Sequence, residues 1–130
     1  MKQRGFSNGS KKNNLELKKF LKLFFENVSK SFSLDELVLF GSYAKGQAND
    51  YSDIDLALVS PDLTSSSAFC NTRTIKEKTK FFDPDLQLFS FSPKLYYQEE
   101  FIDPGFIQEI KRTGKVIYSK QKGLDLSFLD

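Results

Sequence analysis

Residues 40–55 read "FGSYAKGQANDYSDID", and their reading decides the fold. The apolar run "ELVLF" at 36–40 enters a Gly41-Ser42 turn, and ten residues then separate Ser42 from Asp53 and Asp55. The run is too short and apolar for a surface helix, so it reads as a buried strand. "DIDLALV" at 53–59, ended by Ser60-Pro61, reads as a second strand. A strand that runs into Gly-Ser and then into the helix-forming "YAK" leaves free N–H groups at a helix start. Such groups bind anions, and Ser42 adds a hydroxyl that can also cap the turn. On a strand, Asp53 and Asp55 share one face with Cα atoms about 6.5–7 Å apart. Carboxylates that close repel unless a cation or proton lies between them. Their hard oxygens suit Mg²⁺, which takes one or two carboxylates plus substrate phosphates. Phosphate donors beside magnesium ligands make up the equipment of phosphoryl or nucleotidyl transfer.

Competing readings of the same residues fail on spacing. Gly41 and Gly46 open a P-loop pattern, but Gln47 and Ala48 stand where it needs Lys and Ser/Thr. No G-x-G-x-x-G is present. Counted from Asp50 as a calcium loop, the sixth position is Asp55 where glycine is required, and the twelfth is Pro61 where glutamate is required.

Outward from this stretch, Leu15, Leu17, Phe20, Leu21, Phe24 and Val28 recur at helical spacing between charged residues. They predict an amphipathic helix from 14 to about 32. "FCNTRTIKEKTKFF" predicts a short helix and the alternating "DLQLFSF" (85–91) a third strand. "PKLYYQEEF" and "DPGFIQEIKRTG" predict two short helices, the second stopped by Gly114, and "KVIYS" a small strand. The order gives an α/β (α+β) domain: a short mixed sheet with helices packed mainly on one side. It spans 14–120, between a basic tail at 1–13 and a tail at 121–130 that either docks or hangs free. Whether the first two strands form a hairpin or a crossover is left open by the pattern.

At 130 residues and 39% hydrophobic, the chain predicts one core, filled largely by its 14 Phe with Leu, Ile and Val. A net charge of +2 gives no basis for nucleic-acid binding. The absence of histidine excludes histidine bases and histidine-ligated zinc. Cys70 is the only cysteine, and neither a membrane span nor a signal peptide is visible, so a cytoplasmic protein is expected.

"GSYAKGQANDYSDIDLALV" resembles the G-S-x10-D-x-D signature of the DNA polymerase beta superfamily of nucleotidyltransferases. It is most similar to the minimal nucleotidyltransferases, with Gly41, Ser42, Ala44, Gly46, Ser52, Asp53, Asp55 and Leu56 on the pattern. The resemblance covers roughly residues 34–119 and implies the small nucleotidyltransferase fold. It implies that Gly41 and Ser42, with Lys45 and Ser52 nearby, hold ATP, and that Asp53 and Asp55 bind two Mg²⁺. It further implies a third carboxylate from a later strand, for which Asp85 fits better than Asp83. Larger relatives carry a further domain for the acceptor, whereas fewer than fifty residues follow the third strand here. Minimal nucleotidyltransferases often pair with a helical HEPN toxin, which they neutralise by adding AMP to a tyrosine. The resemblance therefore implies an antitoxin of that kind. Its alternatives are a masking antitoxin without chemistry and a transferase acting on small molecules such as aminoglycosides. Base preference and oligomeric state are not implied.

Overall fold

A computed structural model describes residues 11–98 and 104–130 of the chain. The first helix, α1 (Asn14–Ser29), starts where the periodicity predicts and ends three residues sooner. Its start is fixed by a capping box: Asn13 Oδ1 accepts from the Glu16 N–H at 2.8 Å, and Glu16 Oε1 accepts from the Asn13 N–H at 2.9 Å. Then follow β1 (Glu36–Phe40), α2 (Ser42–Lys45), β2 (Ile54–Val59), α3 (Ala68–Thr79), β3 (Leu86–Phe91), α4 (Pro93–Tyr97), α5 (Pro104–Thr113), β4 (Lys115–Ser119) and β5 (Gly123–Leu124). Residues 1–10 of the basic tail and 99–101 at the end of "PKLYYQEEF" lie outside the described residues.

The strands form one mixed sheet in the order β3-β2-β1-β4-β5. β1 is antiparallel to β2, so the link left open by the sequence is a hairpin with α2 inside its loop. β2 and β3 are parallel, and a parallel pair needs a crossover, which α3 supplies. α3 falls in the stretch read as a helix, starting one residue before it and ending three residues sooner. Few of its residues are apolar and only Asn71 and Ile75 are buried, so its periodicity is faint. Polar bonds hold it instead. Ser67 Oγ caps the Cys70 N–H at 3.2 Å, Thr72 Oγ1 donates to the Leu88 carbonyl at 3.1 Å, and Asn71 Nδ2 donates to the Ser90 carbonyl at 3.2 Å. The last two bonds occupy carbonyls on the outer edge of β3, which would otherwise be open to strand pairing.

The sheet is packed on both faces. Alternate residues Leu37 and Leu39, Ile54, Leu56 and Leu58, and Leu86 and Leu88 join α1 in the larger core. Their neighbours Val38, Ala57, Val59 and Phe91 face a smaller core with Leu95 and Tyr96 of α4 and Ile107 and Ile110 of α5. The C-terminal residues dock: β5 pairs with β4, and Leu126 and Leu129 are buried in the larger core. Within that core Phe24, 1% exposed, meets the Phe81 ring edge-on at 5.4 Å. Phe24→Ala is expected to cost about 3–5 kcal/mol, from lost burial plus an unfilled cavity, read as a lowered urea midpoint with the slope unchanged.

Candidate active site

The signature occupies one end of the β1–β2 hairpin. Gly41 leaves β1 with φ 75° and ψ −157°, a conformation open in practice only to glycine, and serves as the N-cap of α2. Ser42 is therefore the first helical residue and not the cap that the sequence allowed; no side chain caps this helix. The reason is local, because only a residue without Cβ fits at the cap. Ala44 and Lys45 N–H groups close onto the Gly41 carbonyl at 3.1 and 3.2 Å, and Gly46 ends the turn in the left-handed region at φ 71°. The N–H groups of Ser42 and Tyr43, earlier in the turn, have no acceptor within a helix.

Gly41 and Asp55 are built against each other. A Cβ on Gly41 would lie 2.2 Å from Asp55 Oδ2, well inside contact distance. The turn and the carboxylate thus form one surface, although thirteen residues separate them in sequence. Asp55 pairs with Phe40 across the hairpin, and Ile54 and Leu56 point into the larger core, so Asp55 faces the opposite side, with Asp53 two residues before it. Both aspartates are half-buried. Beside Asp55 on the same face, Phe40, Phe89 and Phe106 form an aromatic triangle with ring centroids 5.2–6.1 Å apart. This apolar cluster lowers the local dielectric and strengthens any charge interaction beside it.

The loop between turn and strand is stapled shut. Ser52 Oγ accepts from the Asn49 N–H at 2.8 Å, and Asn49 Oδ1 accepts from the Tyr51 N–H at 2.8 Å. Ser52 thus closes the loop that carries Asp53. The chain before α1 adds two ties that the sequence did not reveal: the Lys11 N–H donates to Asp50 at 3.1 Å and the Lys12 N–H to the Tyr43 hydroxyl at 2.9 Å. Lys45 is exposed at the end of α2. It faces α5 closely enough to help Arg112, the main cause, hold Glu109 below its usual range.

Asp85 lies immediately before β3, as Asp53 lies immediately before β2, and its carbonyl accepts from the Ile54 N–H at 2.7 Å. It is buried, and its N–H donates to Asp83 Oδ1 at 2.8 Å, so Asp83 shapes the turn into the strand. Among the described residues, no group of three His, Cys, Asp or Glu side chains is arranged to hold one metal ion. The pair Asp53 and Asp55 fits a divalent cation through its donor chemistry and through the Gly41 cradle that only a missing Cβ keeps open.

Residues 17–118 match the sequence model of the nucleotidyltransferase domain. The chain belongs to that family. No curated protein matches its sequence. Among solved structures, a candidate nucleotidyltransferase from Sulfolobus solfataricus is similar, with a TM-score of 0.57 and 22% identity over 85% of this chain and 87% of that one. A toxin–antitoxin structure with AMP-PNP aligns at a TM-score of 0.48, with 23% identity over 86% of this chain and 78% of that one. A mutant of the toxin–antitoxin MntA-HpeT aligns at 0.45, with 20% identity over the same shares. The nucleotidyltransferase family that the signature implies is thus the one matched, and the fold agrees with it. No helix among the described residues is long and apolar enough to cross a membrane.

The most displaced ionisations lie at the far end of β1. Burial, with a smaller push from the Glu36 charge, raises Tyr96 far above its ordinary value and Tyr97 to about 12. Burial also raises Glu36, against the opposing charge of Lys111. The folded chain thus keeps phenol protons that the unfolded chain loses from about pH 10 upward. Stability should fall as pH rises from about 10 towards 12, seen as a falling urea midpoint, with tyrosinate absorbance appearing later in folded than in unfolded protein.

At the site itself, Gly41→Ala should drive a methyl group into Asp55 and force a backbone conformation that alanine avoids. We expect a folded protein, about 1–3 kcal/mol less stable, that has lost at least tenfold in Mg²⁺-nucleotide affinity, as checked by thermal melting and calorimetry.

Proposed function

We propose that this domain transfers AMP from ATP to a hydroxyl of a protein partner, as the antitoxin of a HEPN-type toxin–antitoxin pair in the cytoplasm. The observation that carries the transfer reading is the abutment of Gly41 on the Asp55 carboxylate, which puts the Gly-Ser turn and a carboxylate on one surface. The N–H groups of the Gly41-Ser42 turn, with the Ser42 hydroxyl, hold the β- and γ-phosphates, and Lys45 and Ser52 border them. Asp53 and Asp55 hold Mg²⁺, with Asp85 as the third acid of the set. Bound magnesium, two ions in such sites, would neutralise charge on the attacking and leaving oxygens. The chain's own work is orientation: the stapled 46–52 loop fixes Asp53, and Phe40, Phe89 and Phe106 pack into an apolar cluster on the face that carries Asp55.

In the transfer, the acceptor oxygen forms a bond to the α-phosphorus while the bond from that phosphorus to the bridging oxygen breaks. Pyrophosphate leaves with that oxygen, and the hydroxyl proton passes to a site carboxylate. The protein acceptor follows from the signature's resemblance to minimal nucleotidyltransferases, whose partners bring the acceptor hydroxyl. Cys70, an exposed free thiol, suits a reducing compartment.

The test is to mix the protein with ATP, Mg²⁺ and the HEPN-type protein encoded beside it, and to weigh that partner intact. An AMP-sized mass gain is expected, abolished by Asp53→Ala and by Asp55→Ala. A complex that forms without any mass gain overturns the transferase reading. Neutralisation surviving both substitutions would identify masking instead.

A further inference from the structure

The strand register places one more side chain beside the candidate metal carboxylates. On the face that carries Asp55, the row across the sheet runs Phe40, Asp55, Gln87, from β1 through β2 to β3. The next row on that face is Val38, Ala57 and Phe89, all packed in the smaller core, which fixes the side to which the first row points. Neighbouring strands lie about 4.8 Å apart, so Gln87 is the β3 side chain that stands directly next to Asp55. It is exposed, whereas Asp85 lies two residues earlier, before the first pair of the ladder, and is buried. Gln87 also lines a groove of about 820 Å³ that opens between α3 and β3, with Phe69, Phe82 and Phe106 among its walls. The amide thus links Asp55, its neighbour across the ladder, to this groove.

We propose that Gln87 is a further third-strand member of this site, two residues after Asp85 on the same face: a neutral amide in the position directly beside Asp55. An amide oxygen is a hard but uncharged ligand, so the site carries one negative charge fewer there than an acid would give it. The attraction for a divalent cation is correspondingly weaker, and the free protein holds the ion loosely until a triphosphate brings further anionic oxygens. The amide N–H groups remain available to donate to a phosphate or acceptor oxygen entering from the groove. The inference deepens the nucleotidyltransferase reading by naming how the site takes its cation, and it can be tested without any transfer.

Mn²⁺ serves as the probe, titrated calorimetrically into the full chain without nucleotide. The proteins are the wild type, Gln87→Asp and Gln87→Glu, and each of these combined with Asp55→Asn. Both single variants should fold, because position 87 is exposed, and either one suffices for the test. The added carboxylate should tighten Mn²⁺ about tenfold or more, and Asp55→Asn should remove that gain. A change below about twofold in both variants overturns the proposal, and so does a gain that survives Asp55→Asn. These results hold whether or not AMP transfer is found, since that reading stands or falls on the partner's mass.

Discussion

The candidate site depends on a missing methyl group. Asp55 can approach the turn because position 41 has no Cβ, and the turn can take its shape because glycine alone tolerates φ 75° with ψ −157°. The two requirements coincide at one residue. A side chain there would strain the backbone and displace the carboxylate together, so the turn and the strand that carries Asp55 cannot be altered separately. The pairing of Phe40 with Asp55 supplies the rest, since it fixes how far along the hairpin the two meet.

That arrangement needs a rigid base, which burial on both faces provides. Leu56 and Leu58 are fully buried on one face, Ala57 and Val59 on the other, so β2 can neither slide nor rotate without exposing one set. The aspartates sit at the one end of this strand where burial relaxes. Strain and charge at the site are thus carried by a strand whose remaining residues have no freedom to yield. The ties from Lys11 and Lys12 to Asp50 and Tyr43 extend the same logic to the loop, anchoring it to the chain just before α1.

Much of this was legible because the signals were local. Period-3.6 spacing gave α1, short apolar runs gave β1 and β2, and the G-S and D-I-D spacing gave the turn and the carboxylates. What was hidden depended on partners distant in sequence. α3 is held by Asn71 and Thr72 bonding to β3, and polar residues leave little periodic trace. Ser42 looked like a cap because serine commonly is one, but the backbone at Gly41 shifted the helix start by one residue. The docking of Leu126 and Leu129 left no period because a 3₁₀ turn, Ser127–Leu129, and a two-residue strand are too short to show one.

Gln87 illustrates the same limit in the site itself. The alternation of "DLQLFSF" already placed residues 85, 87, 89 and 91 on one face, yet a search for acids stops at Asp85 and passes over an amide. Only the ladder shows that Asp55 stands opposite position 87. Asp85 differs in setting as well as in position: its carbonyl is bound to Ile54 and its N–H to Asp83, which ties it to the entry of the strand. Chemical type selects candidates from a sequence, but register decides which of them can meet the same ion.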